Sequence, residues 1–273
     1  MNKLGAYARF ASIFVYILGA LWTVCVSMPL SSPENRRRLL GVWGRRLVAW
    51  MGATIEVKGR ENICPEAFDT GLTPGSAGRM IASNHVSVID VVALNGSLPS
   101  SFVAKAEIGR WPVLGTIARG IGTIFIERGN RRKLVEIGET LAAALGQGLS
   151  LLFFPEGTTG DGKRLLKMHA NLFESAVKAQ APIIPVAVRY LSRGVPVADK
   201  IAYTGGVGMF ECLWKVIEMP DLVIEINILP EVRAADRREA CRLVSAAISG
   251  ALGFEDPLAE PAQQAGGDGR PAA

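Results

Sequence analysis

Histidine is scarce in this chain: His85 and His169 are the two in 273 residues. Imidazole chemistry at neutral pH must therefore come from one of two places. The four cysteines, Cys25, Cys64, Cys212 and Cys241, are scattered, and no Cys-x-x-Cys pair occurs. That spacing leaves reduced structural thiols facing the cytosol as the expectation, rather than a metal or disulfide site. The net charge is +5, yet no Lys/Arg run interleaves with aromatics. Nucleic acid is thus not an expected partner. A basic chain that is 49% hydrophobic suits a membrane surface better. Charge is missing altogether from Phe10 to Pro33, and Ile13 to Met28 is almost wholly apolar. No clear small-residue cleavage site precedes the arginines that follow, which argues against a signal peptide.

That uncharged stretch is long enough to cross a bilayer core. Lys3 and Arg9 stand on one side of it, and Arg36, Arg37, Arg38, Arg45 and Arg46 on the other. The larger cluster is expected on the cytoplasmic side. A second amphipathic element carries Leu39, Leu40, Trp43, Leu47, Trp50 and Met51 at helical spacing, with arginines between them. It suits a helix in the headgroup layer, with tryptophans at the interface and arginines on lipid phosphates. Either the first segment spans, or the two dip into one leaflet as a hairpin; a pair of core helices is the bland alternative.

Past Ala53 the pattern alternates. Strands are expected at 54–57, 79–83, 101–104, 123–126, 149–154, 183–188 and 222–229. Helices are expected after His85, around Trp111 to Ile117, and at 131–145, 171–179 and 234–252. Residues 61–78, rich in Gly, Pro and Ser, read as a loop. Strands alternating with helices predict an α/β fold with a largely parallel sheet flanked by helices, preceded by an N-terminal membrane-associated helical segment. The expected division is 1–52 for the membrane-anchoring helices, 53–254 for the α/β domain and 255–273 for a disordered tail.

The chemistry concentrates in Ser83-Asn84-His85-Val86-Ser87-Val88-Ile89-Asp90. His85 falls at a strand-to-helix turn. Residues five apart lie about 140° around a helix, so His85 and Asp90 can meet only if His85 precedes the helix and Asp90 sits in its first turns. Ser87 is the expected N-cap. A carboxylate on one ring nitrogen fixes the tautomer and leaves the other free to take a proton from a hydroxyl. That hydroxyl can belong to a bound acceptor instead of the protein. The alternative is a surface histidine beside an unrelated aspartate.

Two more strand ends stand out. Phe154-Pro155-Glu156-Gly157-Thr158 closes the most apolar strand. Proline stops the ladder there, glycine allows close backbone approach, and Glu156 falls where α/β sheets bind ligands. Ile124-Phe125-Ile126-Glu127-Arg128 ends another strand on a cation suited to phosphate, or simply to solvent. His169, just before a helix and without a fitting carboxylate, reads as structural or exposed.

Taken together, Asn84–Asp90, Lys105 with Trp111-Pro112 and Gly115, Phe125–Arg128, Phe154–Thr158 and Ala181-Pro182-Ile183-Ile184-Pro185-Val186-Ala187-Val188 resemble the glycerolipid acyltransferase family, which includes the 1-acylglycerol-3-phosphate acyltransferases. The blocks cover Ser83 to Val188 in the family's order. The resemblance implies a glycerol-3-phosphate acyltransferase-like fold, with His85 as general base and Asp90 orienting it. It implies direct attack on acyl-CoA or acyl carrier protein, with no acyl-enzyme, no metal and no redox cofactor. Asn84, Lys105, Arg128, Glu156, Gly157 and Thr158 become substrate-binding residues. Of these, Arg128 and Glu156 would hold the acceptor headgroup and glycerol, and the backbone near Gly157 would stabilise the oxyanion. Membrane lipids, a lysolipid acceptor and the acyl carrier are the implied partners, at the inner (cytoplasmic) membrane with the catalytic domain facing the cytoplasm.

One position departs from the pattern. Many phosphatidate-forming members carry Arg after the block's threonine, where this chain has Thr159 followed by Gly160-Asp161-Gly162. Lys163, Arg164 or Lys167 would have to substitute. Lysophosphatidate is the first expectation for the acceptor. Lyso-ornithine lipid or a lysophospholipid is the second, and a non-catalytic membrane lipid-binding protein the third.

Overall fold

Short runs rich in Val, Ile, Leu and Phe form the strands, and their alternate residues feed two cores. The computed structural model describes residues 3–63, 78–127 and 131–259. In chain order the elements are α1 (Lys3–Trp22), continued by a π-type turn (Thr23–Ser27), α2 (Pro33–Trp50), β1 (Ala53–Lys58), β2 (Met80–Ser83), α3 (Ile89–Ser97) and β3 (Ser101–Lys105). Then come α4 (Ala106–Gly109), α5 (Leu114–Gly120), β4 (Ile124–Ile126), α6 (Arg131–Gly146), β5 (Leu151–Phe153) and α7 (Phe173–Lys178). The chain continues with β6 (Ile183–Ser192), β7 (Val195–Pro196), α8 (Ala198–Ile201), α9 (Met209–Glu218), β8 (Leu222–Ile228) and α10 (Arg237–Leu252). Most of the expected 61–78 loop, most of the expected tail, Cys64 and Arg128 lie outside the described residues.

The strands make one sheet in the order β1-β8-β6-β2-β5-β3-β4, with β7 paired to β6. β1/β8, β6/β2, β2/β5, β5/β3 and β3/β4 are parallel; β6 runs antiparallel to β8 and to β7. The expected largely parallel sheet is present. The antiparallel pairs arise because the chain leaves β6 through the β7 hairpin and returns by α9.

Side chains alternate between the two faces. Ile81, Leu152, Ile184, Val186 and Val188 join Val48 and Met51 of α2, Leu94 of α3 and Val216 of α9 in one core. Met80, Ala82, Leu151, Phe153 and Ile183 join Leu141 and Leu145 of α6, Phe173 of α7 and Val244 and Ile248 of α10 in the other. The carboxyl ends of β2, β3, β4 and β5 share one edge, so the turn at His85, Lys105 and the turn at Glu156 all open there.

Helix α2 is more embedded than its amphipathic pattern predicts. Arg37 donates to Ser101 Oγ at 3.2 Å, and Arg45 donates to the Gly96 carbonyl at 2.6 Å, at the end of α3. Burial lowers the Arg37 guanidinium below its usual value. These two arginines grip the α/β domain and are not available to lipid phosphate. Trp43 and Trp50 pack against Tyr16 of α1, with ring centroids 5.6 and 4.9 Å apart. Helix α1 also meets α9, where Phe10 lies edge-on to Trp214 at 5.4 Å. Residues Tyr7–Ser27 form a 21-residue segment long and apolar enough to cross a membrane. Its outward stripe of Tyr7, Phe14, Val15, Leu18 and Trp22 is exposed, and so are Trp111 and Val113 beside α5.

Candidate active site

Strand β2 ends at Ser83, and the next residue extends the sheet with its side chain. Asn84 Oδ1 accepts from Val188 N at 2.8 Å, and Asn84 Nδ2 donates to Val188 O at 3.0 Å. The amide thus imitates a strand rung beyond the last β2/β6 pair, Ser83 with Val186. Asn84 is buried and fully engaged with the protein. Both of these bonds fix the turn.

The next residue is His85, and its ring meets Asp90 as the spacing requires: Nδ1 to Oδ2 is 2.7 Å. Asp90 is completely buried, while the His85 side chain keeps 17% exposure. Asp90 Oδ2 also accepts Val86 N at 2.7 Å and Ser87 N at 2.9 Å. The expected Ser87 cap is absent. Helix α3 starts at Ile89 behind Val88, without a side-chain cap. Ser87 Oγ instead lies 3.2 Å from Cys212 Sγ. Asp90 Oδ2 takes the amides of Val86 and Ser87, so one carboxylate both fixes the turn that enters the helix and orients the imidazole.

Three further groups complete the frame, and of these Tyr190 lies outside the motifs read from the sequence. Phe154 stacks on the His85 ring with centroids 3.8 Å apart and planes within 9°. Gly160 N donates to the His85 carbonyl at 2.7 Å. The wholly buried Tyr190 donates its hydroxyl to Asp90 Oδ1. Burial first, and then the Asp90 charge, push that phenol well above its usual range. A signal for Tyr190 was present, because Val186, Val188 and Tyr190 share one strand face. Extending the period by two residues past the last block puts a hydroxyl beside the pair.

Glu156 is engaged by two backbone amides. Oε1 accepts His85 N at 2.8 Å, and Oε2 accepts Leu166 N at 3.0 Å. Both oxygens therefore brace the histidine turn and the following loop. Burial pushes the carboxyl up to about 7, against the pull of those two amides and with some help from the Asp90 charge. Gly157, at φ 68°, turns the chain and donates its N–H to Phe154 O at 3.0 Å. That amide is committed to the turn. Thr158 and Lys105 are exposed at the same sheet edge. Arg128 lies outside the described residues. Thr159 hydrogen-bonds the Tyr203 carbonyl, and Lys163 pairs with Asp199 at 3.1 Å.

A cavity of about 200 Å³ is lined by His85, Asn84, Glu156, Arg164, Arg189 and Tyr190, with apolar walls that include Leu165, Leu252 and Phe254. Arg189 donates to Ala251 O at 3.0 Å, whereas Arg164 has no hydrogen-bond or ion-pair partner among the described residues. His169 is exposed, and its N–H donates to Pro155 O at 2.9 Å.

Comparison with known proteins agrees with this geometry. Residues 54–189 match the Acyltransferase family. A 1-acyl-sn-glycerol-3-phosphate acyltransferase of Neisseria meningitidis is 36% identical over 207 residues, covering 76% of each chain. A lyso-ornithine lipid O-acyltransferase of Pseudomonas aeruginosa is 32% identical over 219 residues, covering 80% of this chain and 79% of the relative. The crystal structure of the 1-acyl-sn-glycerophosphate acyltransferase PlsC of Thermotoga maritima superposes with a TM-score of 0.68 at 20% identity, over 92% of this chain and 95% of that one. With the fold, the ordered blocks and relatives at this identity over three-quarters of its length, the chain belongs to the acyltransferase family.

Proposed function

We propose that this enzyme is membrane-bound and moves a fatty acyl group from a thioester, acyl-CoA or acyl carrier protein, to the free hydroxyl of 1-acyl-sn-glycerol-3-phosphate. The carrying observation is the 2.7 Å contact of His85 Nδ1 with a fully buried Asp90. It commits Nδ1 to donating and leaves Nε2, which has no partner among the described residues, to accept a proton. The acceptor hydroxyl gives its proton to Nε2 as its oxygen attacks the thioester carbon. The C–O bond forms, the C–S bond breaks, and the leaving thiolate takes the proton back from the imidazolium. No protein nucleophile enters the sequence. Lys105 and Arg128 are the proposed cations for the headgroup, and Thr158 a further proposed contact.

The outward stripe of α1, with Trp111 and Val113, supports attachment to one leaflet, because the other side of α1 packs on α2 and α9. The arginines of α2 support a domain on the cytoplasmic side of the inner membrane.

A second acceptor reading rests on Thr159. The position where an added guanidinium would meet a phosphomonoester instead carries a threonine bonded to the Tyr203 carbonyl. That favours lyso-ornithine lipid, the acceptor named for the Pseudomonas relative. A panel of lysophosphatidate, lyso-ornithine lipid and lysophospholipid with one labelled acyl-CoA tests both readings. Turnover of lysophosphatidate is the expected result. Turnover of lyso-ornithine lipid alone transfers the assignment to the second acceptor, and no turnover of any overturns both. His85→Ala should lower transfer about 10²- to 10⁴-fold with the fold intact. Near-wild-type turnover in that variant removes His85 as the base.

A further inference from the structure

Tyr190 is a buried titratable side chain at the site whose role the proposed reaction leaves open. Among the described residues its hydroxyl bonds Asp90 Oδ1 alone. The reverse also holds: Oδ2 receives His85 and two backbone amides, while Oδ1 receives Tyr190 alone. The two residues lie 100 positions apart in sequence and meet where solvent has no access to either side chain. Without the phenol, Oδ1 of a buried carboxylate would have no donor among the described residues, and only the contacts to Oδ2 would fix its plane.

We propose that Tyr190 is a positioning residue for catalysis: its hydroxyl holds the Asp90 carboxylate in the plane that meets His85 and tempers how strongly that carboxylate draws a proton onto the imidazole. The inference rests on His85 as the base and adds a third member to the pair. Its physical basis is charge sharing. A carboxylate that accepts an O–H bond is a weaker base than one that does not, so it stabilises the imidazolium less. Removing the phenol should therefore favour the imidazolium over the neutral ring. Other charged or titratable groups also face the pair. Glu156 comes from the turn after β5, Cys212 from α9, and Arg164 and Arg189 from the cavity wall. None of them reaches Oδ1.

The scarcity of histidine makes a direct test practical. In protein labelled with ring-¹⁵N histidine only His85 and His169 report, and a His169→Asn companion assigns them. In Tyr190→Phe the His85 titration midpoint should rise by about half a pH unit to one unit, since each unit reflects the changed preference of Asp90 for the imidazolium. The acidic limb of kcat/KM should move up with it. At the plateau kcat should fall about 3- to 10-fold, with the acceptor KM within about twofold. 3-Fluorotyrosine placed at position 190 is a stronger donor of the same shape and should move the midpoint the other way. If Tyr190→Phe does not fold, the fluorotyrosine protein decides alone. An unmoved His85 midpoint in the fluorotyrosine protein, or in a folded Tyr190→Phe, overturns the proposal. Because the resonance reports the ring without turnover, that failure is distinct from a failure of His85 as base, which only the His85→Ala rate reveals.

Discussion

Glu156 carries a charge-state consequence that its neighbours do not. Its carboxyl is raised from 4.5 to about 7, chiefly by burial. The folded protein therefore binds this proton more tightly than the unfolded chain does. The stability it contributes is fully present below pH 4.5 and is lost as pH rises through about 7, a span on the order of 3 kcal/mol. Glu156→Gln removes the titration. The melting temperature of the wild type, measured relative to that variant, should fall between pH 4.5 and 7 and level off by about pH 8; a flat difference would show that Glu156 ionises freely. The variant should also lose activity at every pH, because a glutamine offers one acceptor oxygen to the two amides of His85 and Leu166. Residues at this scale divide by how local their reasons are. The contact between His85 and Asp90 was legible because five positions and a helix start determine it. The part played by Glu156 was not, since its partners are backbone amides 71 and 10 residues away. The Ser87 cap was misread because its hydroxyl turns instead to the Cys212 thiol, 125 residues away, which no local pattern reveals.

Among the elements, the packing of α2 on α3 has little tolerance. A Cβ on Gly44 would stand 2.7 Å from both Gly96 N and Val92 O, and one on Gly96 would stand 2.9 Å from Arg45 N. These are backbone atoms in two helices, which a rotamer change cannot move aside. Gly44→Ala should lower stability by about 1–3 kcal/mol by chemical denaturation. An unchanged midpoint would mean that the two helices separate easily. Sequence periodicity found nearly every strand and most helices of the sheet, because a half-buried strand and an amphipathic helix each carry their period in the chain. It left α9 unread, although Cys212, Val216 and Ile217 are its buried face. The true depth of α2 was also hidden: a helix that faces a protein core and one that faces lipid show the same stripe, and only its glycines hint at close backbone contact.

For the molecule as a whole, deletion of residues 1–52 would remove Val48 and Met51, which are buried in the same core as Ile81 and Leu94. The truncated chain is expected to misfold rather than to dissolve as a free domain, so attachment to lipid is better tested by point changes. Replacing Phe14, Leu18 and Trp22 together by serine removes three exposed apolar side chains and leaves the inner face of α1 untouched. Binding to lipid vesicles should weaken by about 100-fold or more with the melting temperature little changed. Equal binding would place the lipid contact elsewhere. One feature of the site also reaches into how the chain is made. The histidine turn is held by Asn84 on Val188, 104 residues later, and Asp90 by Tyr190, 100 residues later. A ribosome that has delivered both members of the pair has not yet delivered what aligns them. Activity should therefore be absent from every nascent chain that ends before β6 and switch on late, long after the apolar helix α1 has left the ribosome, so that on the proposed membrane attachment the chain would meet lipid before it could act there.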